Sequence, residues 1–219
     1  MSDDRTTDLV TRLRQVGCAS LVDAMGRRHG HRAHLLPMVS PDPGRPLVGP
    51  AATITFLPYR DDVEDPPDFA ELFYRAVGPQ PEGKVLVLSS GGHPDVSHGG
   101  GTKLSRVHNH GLAGVASDGR LRDFAELARF DFATWCRGEA TRWGGDTVMP
   151  HAAGQPVAFA GVCVVPGDYV YLDDSGGVVI PAADVAEVLA EAHRIEVEDS
   201  RSTDHIRAER PHAPHRGAR

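Results

Sequence analysis

Lys84-Val85-Leu86-Val87-Leu88 and, beyond a glycine-rich loop, Leu112-Ala113-Gly114-Val115-Ala116 are the two segments on which the fold turns. Each is short and carries apolar residues at consecutive rather than alternating positions, the pattern of a strand covered on both faces. Between them lie Ser89-Ser90-Gly91-Gly92-His93-Pro94-Asp95 and Gly99-Gly100-Gly101, followed by a helix predicted over residues 102–110. If the two strands are parallel neighbours, the loops that follow them emerge at one carboxyl edge of the sheet, where open α/β sheets collect their ligands.

Working outward, residues 9–28 repeat apolar side chains at helical spacing (Leu9, Leu13, Val16, then Leu21, Val22, Met25), broken near Gly17. Two short helices are predicted, with Ser20 as cap of the second. A proline- and glycine-rich stretch leads into a strand over 51–57, and an acidic, proline-rich loop at 61–68 precedes a helix at 69–77. After the Asp118-Gly119 turn, Arg122 and Asp123 open a helix whose apolar side is Phe124, Leu127 and Ala128. Strand-like segments follow at 132–136, 157–165, 169–172 and 178–180, the last two forming a hairpin. A final helix begins near Ala183 and buries Val185, Val188, Leu189, Ala192 and Ile195. Residues 205–219 are rich in His, Arg and Pro, so a disordered tail is predicted after a single domain spanning 1–204.

With 219 residues, 40% of them hydrophobic, the chain can bury one sizeable core. A net charge of −7 gives no concentrated basic face for a phosphate backbone, so no nucleic-acid partner is expected. Cys18, Cys136 and Cys163 are widely spaced and contain no CxxC pair, which argues against a disulfide framework or a thiolate zinc site. No apolar run approaches the roughly 20 residues needed to cross a bilayer. The opening Met-Ser-Asp-Asp-Arg-Thr-Thr-Asp has no apolar leader, so the expected location is the cytoplasm, with no membrane partner.

Three features converge on one place: the glycine loop ending at Gly101, the helix it opens, and the Arg122-Asp123 pair. Gly100, Gly101 and Thr102 allow close backbone approach, and N–H groups at a helix start can hold a carboxylate. A glycine triplet alone marks only a flexible turn, and an Arg-Asp pair alone is ordinarily a solvated arginine beside an aspartate that serves the helix dipole. Together they can grip a 2-oxo acid. Arg122 offers a planar fork to the carboxylate, and Asp123 is a hard oxygen donor suited to Mg²⁺ or Mn²⁺. The twelve histidines contain no HxxxH or HExxH spacing, and His108 and His110 cannot share a helical face. His93 and His98 lie near the proposed site. Lys103 could form a Schiff base in a metal-free aldolase, but a lysine early in a helix is ordinarily solvated, which disfavours that route.

The stretch from Gly111 to Asp123, Gly-Leu-Ala-Gly-Val-Ala-Ser-Asp-Gly-Arg-Leu-Arg-Asp, resembles the central motif of the RraA-like family. That family includes 4-hydroxy-4-methyl-2-oxoglutarate aldolases and protein regulators of ribonuclease activity. Leu21-Val22-Asp23-Ala24-Met25-Gly26, Leu47-Val48-Gly49-Pro50, Val164-Val165-Pro166-Gly167-Asp168 and residues 173–181 continue the likeness in order. The resemblance implies a β/β/α fold like the swivelling phosphohistidine domain, assembled as a homotrimer or a dimer of trimers with active sites between subunits. It also implies that Arg122 binds the pyruvyl carboxylate, that Asp123 holds Mg²⁺ or Mn²⁺, and that amides of residues 100–102 complete the pocket. An acidic residue on the last helix of an adjacent subunit contributes, best matched by Glu198, with Glu196 next. Aldolase members commonly carry Asp or Glu at the position of Gly101, in an acid-x20-Arg-Asp arrangement. Thr102 and Lys103 also replace apolar residues common there. The expected activity is a class II lyase that cleaves a 4-hydroxy-2-oxo acid to pyruvate and a carbonyl compound, with oxaloacetate decarboxylation alongside. The alternatives are an enzyme of the same fold acting on another carbonyl substrate, by dehydration or cyclisation, and a non-catalytic ribonuclease regulator.

Overall fold

The computed structural model describes residues 2–209, with side chains from Thr6 onward. Helices α1 (Ser2–Leu13) and α2 (Cys18–Arg28) lead to a two-residue strand β1 (His34–Leu35) and the long strand β2 (Leu47–Pro58). Then come α3 (Phe69–Val77), β3 (Val85–Ser89), α4 (Gly101–Asn109), β4 (Gly114–Ser117) and the single-turn α5 (Phe124–Leu127). Six strands and a helix follow: β5 (Ala133–Trp135), β6 (Val148–Ala153), β7 (Val157–Phe159), β8 (Val162–Val164), β9 (Tyr169–Asp173), β10 (Gly176–Ile180) and α6 (Val185–Ala208).

The result is a mixed α/β single domain. Its main sheet runs β1-β10-β9-β2-β3-β4-β5, with β6 added along the end of β2, and β7 and β8 form a separate hairpin. β2 is the spine: Leu47 to Pro50 pair antiparallel with β9, and Ala51 to Thr55 pair parallel with β3. β3 and β4 are parallel neighbours, Val85 to Leu88 opposite Gly114 to Ser117, as the apolar runs suggested. Leu86 and Leu88 face one core with α3 and α4, while Val85 and Val87 face another containing Trp135 and Phe159. A third core lies between α1, α2, α6 and the β9-β10 hairpin.

Several local expectations change. α2 starts at Cys18 with Gly17 at its N-cap and no side-chain cap, so Ser20 lies inside the helix. Residues 157–165 are a tight hairpin rather than one strand, because Ala160 (φ 48°) and Gly161 (φ 84°) both adopt the positive φ of a two-residue turn. β1 and β6 were not foreseen. β6 contains Pro150 and pairs with β2 through an irregularity between Thr55 and Phe56, which blurs any period-two signal. α6 continues through His205 to Ala208, so four residues assigned to a disordered tail are helical. The rest of that predicted tail, from residue 210, lies outside the described residues.

Candidate active site

The loops leaving β3 and β4 are joined by a short stretch of parallel pairing. His98 N–H donates to the Arg120 carbonyl at 3.0 Å, Arg120 N–H to Val96 at 3.2 Å, and Arg122 N–H to Gly99 at 2.9 Å. This ladder brings Arg122 and Asp123 onto the glycines that open α4. Asp123 has a left-handed backbone (φ 64°, ψ 44°), a conformation aspartate tolerates better than most residues. Its side chain makes no cap bond to its own helix. Glu139 takes that role, accepting from Phe124 N–H at 2.9 Å, and Asp123 Oδ2 instead accepts from Gly101 N–H at 3.1 Å. Asp123 is therefore not merely serving the dipole of α5.

This close approach favours glycine at 100, where a Cβ would lie 2.5 Å from Asp123 Oδ2 and 3.2 Å from Arg122 Cβ. A Cβ on Gly101 would meet Glu126 Oε2 at 2.0 Å, and the exposed Glu126 side chain would have to swing aside. Glu126 thus fills the volume into which a side chain at 101 would project. Gly101 is not an open ligand-binding amide, as the sequence reading had it, because Asp123 has taken its N–H.

Gly99, Gly100, Thr102, Lys103, Arg122 and Asp123 line a cavity of about 400 Å³. Phe56, Tyr59, Trp143, Val148, Met149 and Pro150 also line it. His98 also lines it and is buried at 2% exposure. Its Nε2 bonds the Ser90 carbonyl at 3.2 Å and so carries the proton, while its ring packs edge-on against Phe56 with centroids 4.8 Å apart. Nδ1 is buried without a hydrogen bond, and burial pushes the ring's pKa below the ordinary 6.5, so it is neutral. His93 does not line the cavity.

Lys103 departs from its expected solvated state. It lines the cavity with Nζ 5.2 Å from the centre of the Phe69 ring. Burial lowers its pKa, Asp68 partly offsets this, and the charges of Arg106 and Arg122 reinforce it.

Glu198 is not in this cavity. It pairs with Arg27 on α2 at 3.1 Å, and Glu196 accepts from Gly17 N–H at 3.1 Å. Within one chain the last helix and the Arg122-Asp123 loop stay apart.

Among the described residues, no three His, Cys, Asp or Glu side chains cluster as a metal cage. A closed zinc site does not fit. A lone carboxylate with Oδ1 uncommitted does fit a hard cation such as Mg²⁺, which retains waters and takes further oxygens from substrate. No helix among the described residues is long and apolar enough to cross a membrane.

A family model described as RraA-like, Aldolase/RraA, matches residues 18–180, which contain the whole of this loop constellation. The chain belongs to the RraA-like family. Among curated RraA-like relatives, DlpA of Legionella pneumophila is 24% identical over 204 residues, covering 92% of this chain but only 32% of DlpA. A Halalkalibacterium halodurans protein named "Putative 4-hydroxy-4-methyl-2-oxoglutarate aldolase" is 26% identical over 192 residues, 88% of this chain and 85% of its own. The crystal structure of Streptomyces coelicolor RraAS2, described as an unusual member of the RNase ES inhibitor RraA protein family, superimposes with a TM-score of 0.77. It is 28% identical, with 90% of this chain and 96% of that one covered. The RraA-like fold expected from the sequence is the fold observed.

Neither the cavity lining at residues 143–150 nor the partial burial of Lys103 is apparent from the sequence. Trp143-Gly144-Gly145, an aromatic residue beside two glycines, was the available signal for the first.

Proposed function

We propose that this chain is a divalent-cation-dependent lyase that cleaves a 4-hydroxy-2-oxo acid to pyruvate and a carbonyl compound, and that it also decarboxylates oxaloacetate. The observation that carries this reading is the position of Arg122 and Asp123 on one cavity wall, with an oxygen of Asp123 left uncommitted beside the start of α4. Arg122 grips the substrate carboxylate through two parallel hydrogen bonds. The N-terminal end of α4, through Gly100 and Thr102, adds the positive end of the helix dipole to the same anion. Asp123 is the residue that would hold Mg²⁺ or Mn²⁺, which supplies Lewis-acid polarisation of the 2-oxo group. Lys103 adds positive charge to this side of the cavity, and His98 and Phe56 exclude water behind it.

Among the described residues, Asp123 is the sole carboxylate on the cavity lining, and the resemblance to RraA-like aldolases points to a second carboxylate, from outside this cavity, as the group that receives the 4-hydroxyl proton. We assign it to Glu198 of a neighbouring copy in a homotrimer or a pair of trimers. In support, α6 has no buried residue after Ile195, yet it runs on through Val197 (50% exposed) and Ile206 (63% exposed) to Ala208. Helical turns that pack on nothing are marginal in water, and a second subunit would cover them.

The test is pyruvate release from 4-hydroxy-2-oxo acids and oxaloacetate, with Mg²⁺ and with a chelator, in wild type and Asp123→Asn. The expected loss on substitution is about 100-fold or more, equivalent to about 2.7 kcal/mol of transition-state stabilisation. Equal rates in the two proteins would remove Asp123 from the mechanism. The similarity to RraAS2 favours a second reading, a non-catalytic regulator that binds a ribonuclease. It predicts ribonuclease inhibition undiminished in Asp123→Asn, together with no turnover of any oxo acid.

A further inference from the structure

Two groups of lining residues differ in chemistry. Arg122, Asp123 and Lys103 come from α4 and the start of α5. The lining residues from 143 to 150 contribute no charge: Arg142 and Asp146 pair with each other outside the lining, leaving Trp143, Val148, Met149 and Pro150, with Phe56 and Tyr59, as its uncharged part. Within one chain, a second carboxylate laid along these residues would be desolvated with no cation among them to pair it.

The wall is also built to a fixed distance. Ser97 makes parallel bridges to both Arg120 and Trp143, so a single residue ties the Arg122 loop to the aromatic wall. Gly144 packs so closely on Ser97 that a Cβ there would lie 2.3 Å from the Ser97 carbonyl oxygen. The indole of Trp143 lies over Gly145, yet the residue is 59% exposed. Trp143 thus lines the cavity with aromatic surface that a ligand can cover.

We propose that the carbonyl half of the substrate is an apolar group, aryl or branched alkyl, lying along Trp143, Met149 and Pro150 while Arg122 holds the carboxylate. This rests on the 2-oxo acid reading of the same cavity. It makes Trp143 and Met149 specificity-determining residues and places the preferred substrates among 4-hydroxy-2-oxo acids with an apolar substituent on C4.

Titration calorimetry in the presence of Mg²⁺ tests it, using pyruvate, 2-oxoglutarate, 4-methyl-2-oxopentanoate and phenylpyruvate with wild type, Trp143→Ala and Met149→Lys. The two apolar acids should bind wild type at least about ten-fold more tightly than pyruvate or 2-oxoglutarate, a difference of about 1.4 kcal/mol. Trp143→Ala should abolish that preference, with an unchanged circular dichroism spectrum showing that the variant is folded. Met149→Lys should reverse the preference toward 2-oxoglutarate. Pyruvate binding with no apolar preference, or a preference that survives both substitutions, overturns this inference and leaves the lyase reading intact. Failure of all four acids to bind overturns both.

Discussion

Asp118 and Asp123 lie five residues apart on the same loop and are used in opposite ways. Asp118 is 9% exposed and both of its oxygens are committed: Oδ1 accepts from Ser90 N–H at 2.6 Å, and Oδ2 from Ala160 N–H at 3.0 Å. It thereby pins the loop after β3 and the tip of the β7-β8 hairpin, where Ala160 is held at positive φ. Asp123 is half-buried, lines the cavity, and gives one oxygen to one amide while the other takes no hydrogen bond. The loop begins as a structural joint and ends as a site. A carboxylate whose hydrogen-bonding capacity is spent on backbone holds the fold, while one with capacity in reserve can take a ligand.

The largest expected effect breaks the joint. Asp118→Ala leaves two backbone N–H groups without their charged partner and should lower stability by about 3–5 kcal/mol, a large share of the usual 5–15 kcal/mol of a domain. Asp123→Asn should change stability by less than about 1 kcal/mol, since asparagine also accepts from Gly101 N–H and tolerates the left-handed backbone. Urea denaturation of the two variants measures both. Equal losses would erase the distinction between the aspartates.

The smallest effect is expected at Lys103, where the comparison is sharpened by a null result. The half-buried Lys103 lines the cavity with a lowered pKa, the condition under which lysines become nucleophilic. If Asp123 and its cation carry the chemistry, borohydride added with pyruvate should leave Lys103 unmodified by mass spectrometry. A reduced pyruvyl adduct on that residue would transfer the electron sink from the cation to an imine.

Much of this was legible in the sequence because it depends on neighbours along the chain. Consecutive apolar residues at 85–88 and the apolar run at 112–116 pointed to a doubly covered sheet, parallel pairing put their loops at one edge, and Arg122-Asp123 stood at the end of the second. What could not be read depends on contacts between distant segments. Lys103 is half-buried, with Phe69 of α3 beneath it, and no local pattern around residue 103 encodes that. The 143–150 wall exists because β6 adds to the end of β2 and Ser97 bridges to Trp143, pairings made by irregular, glycine-containing chain. Glu198 was identified by resemblance alone, and within one chain it faces Arg27 rather than Arg122.

The central claim, that Asp123 keeps an oxygen for a hard cation beside an oxo acid held by Arg122, is tested most directly by titrating Mn²⁺ into the full chain under electron paramagnetic resonance, with and without pyruvate. The account predicts a single Mn²⁺ site per chain whose affinity rises when pyruvate is present, by the reciprocity of linked binding, and which Asp123→Asn abolishes. Equal Mn²⁺ binding by wild type and Asp123→Asn, indifferent to pyruvate, would contradict it.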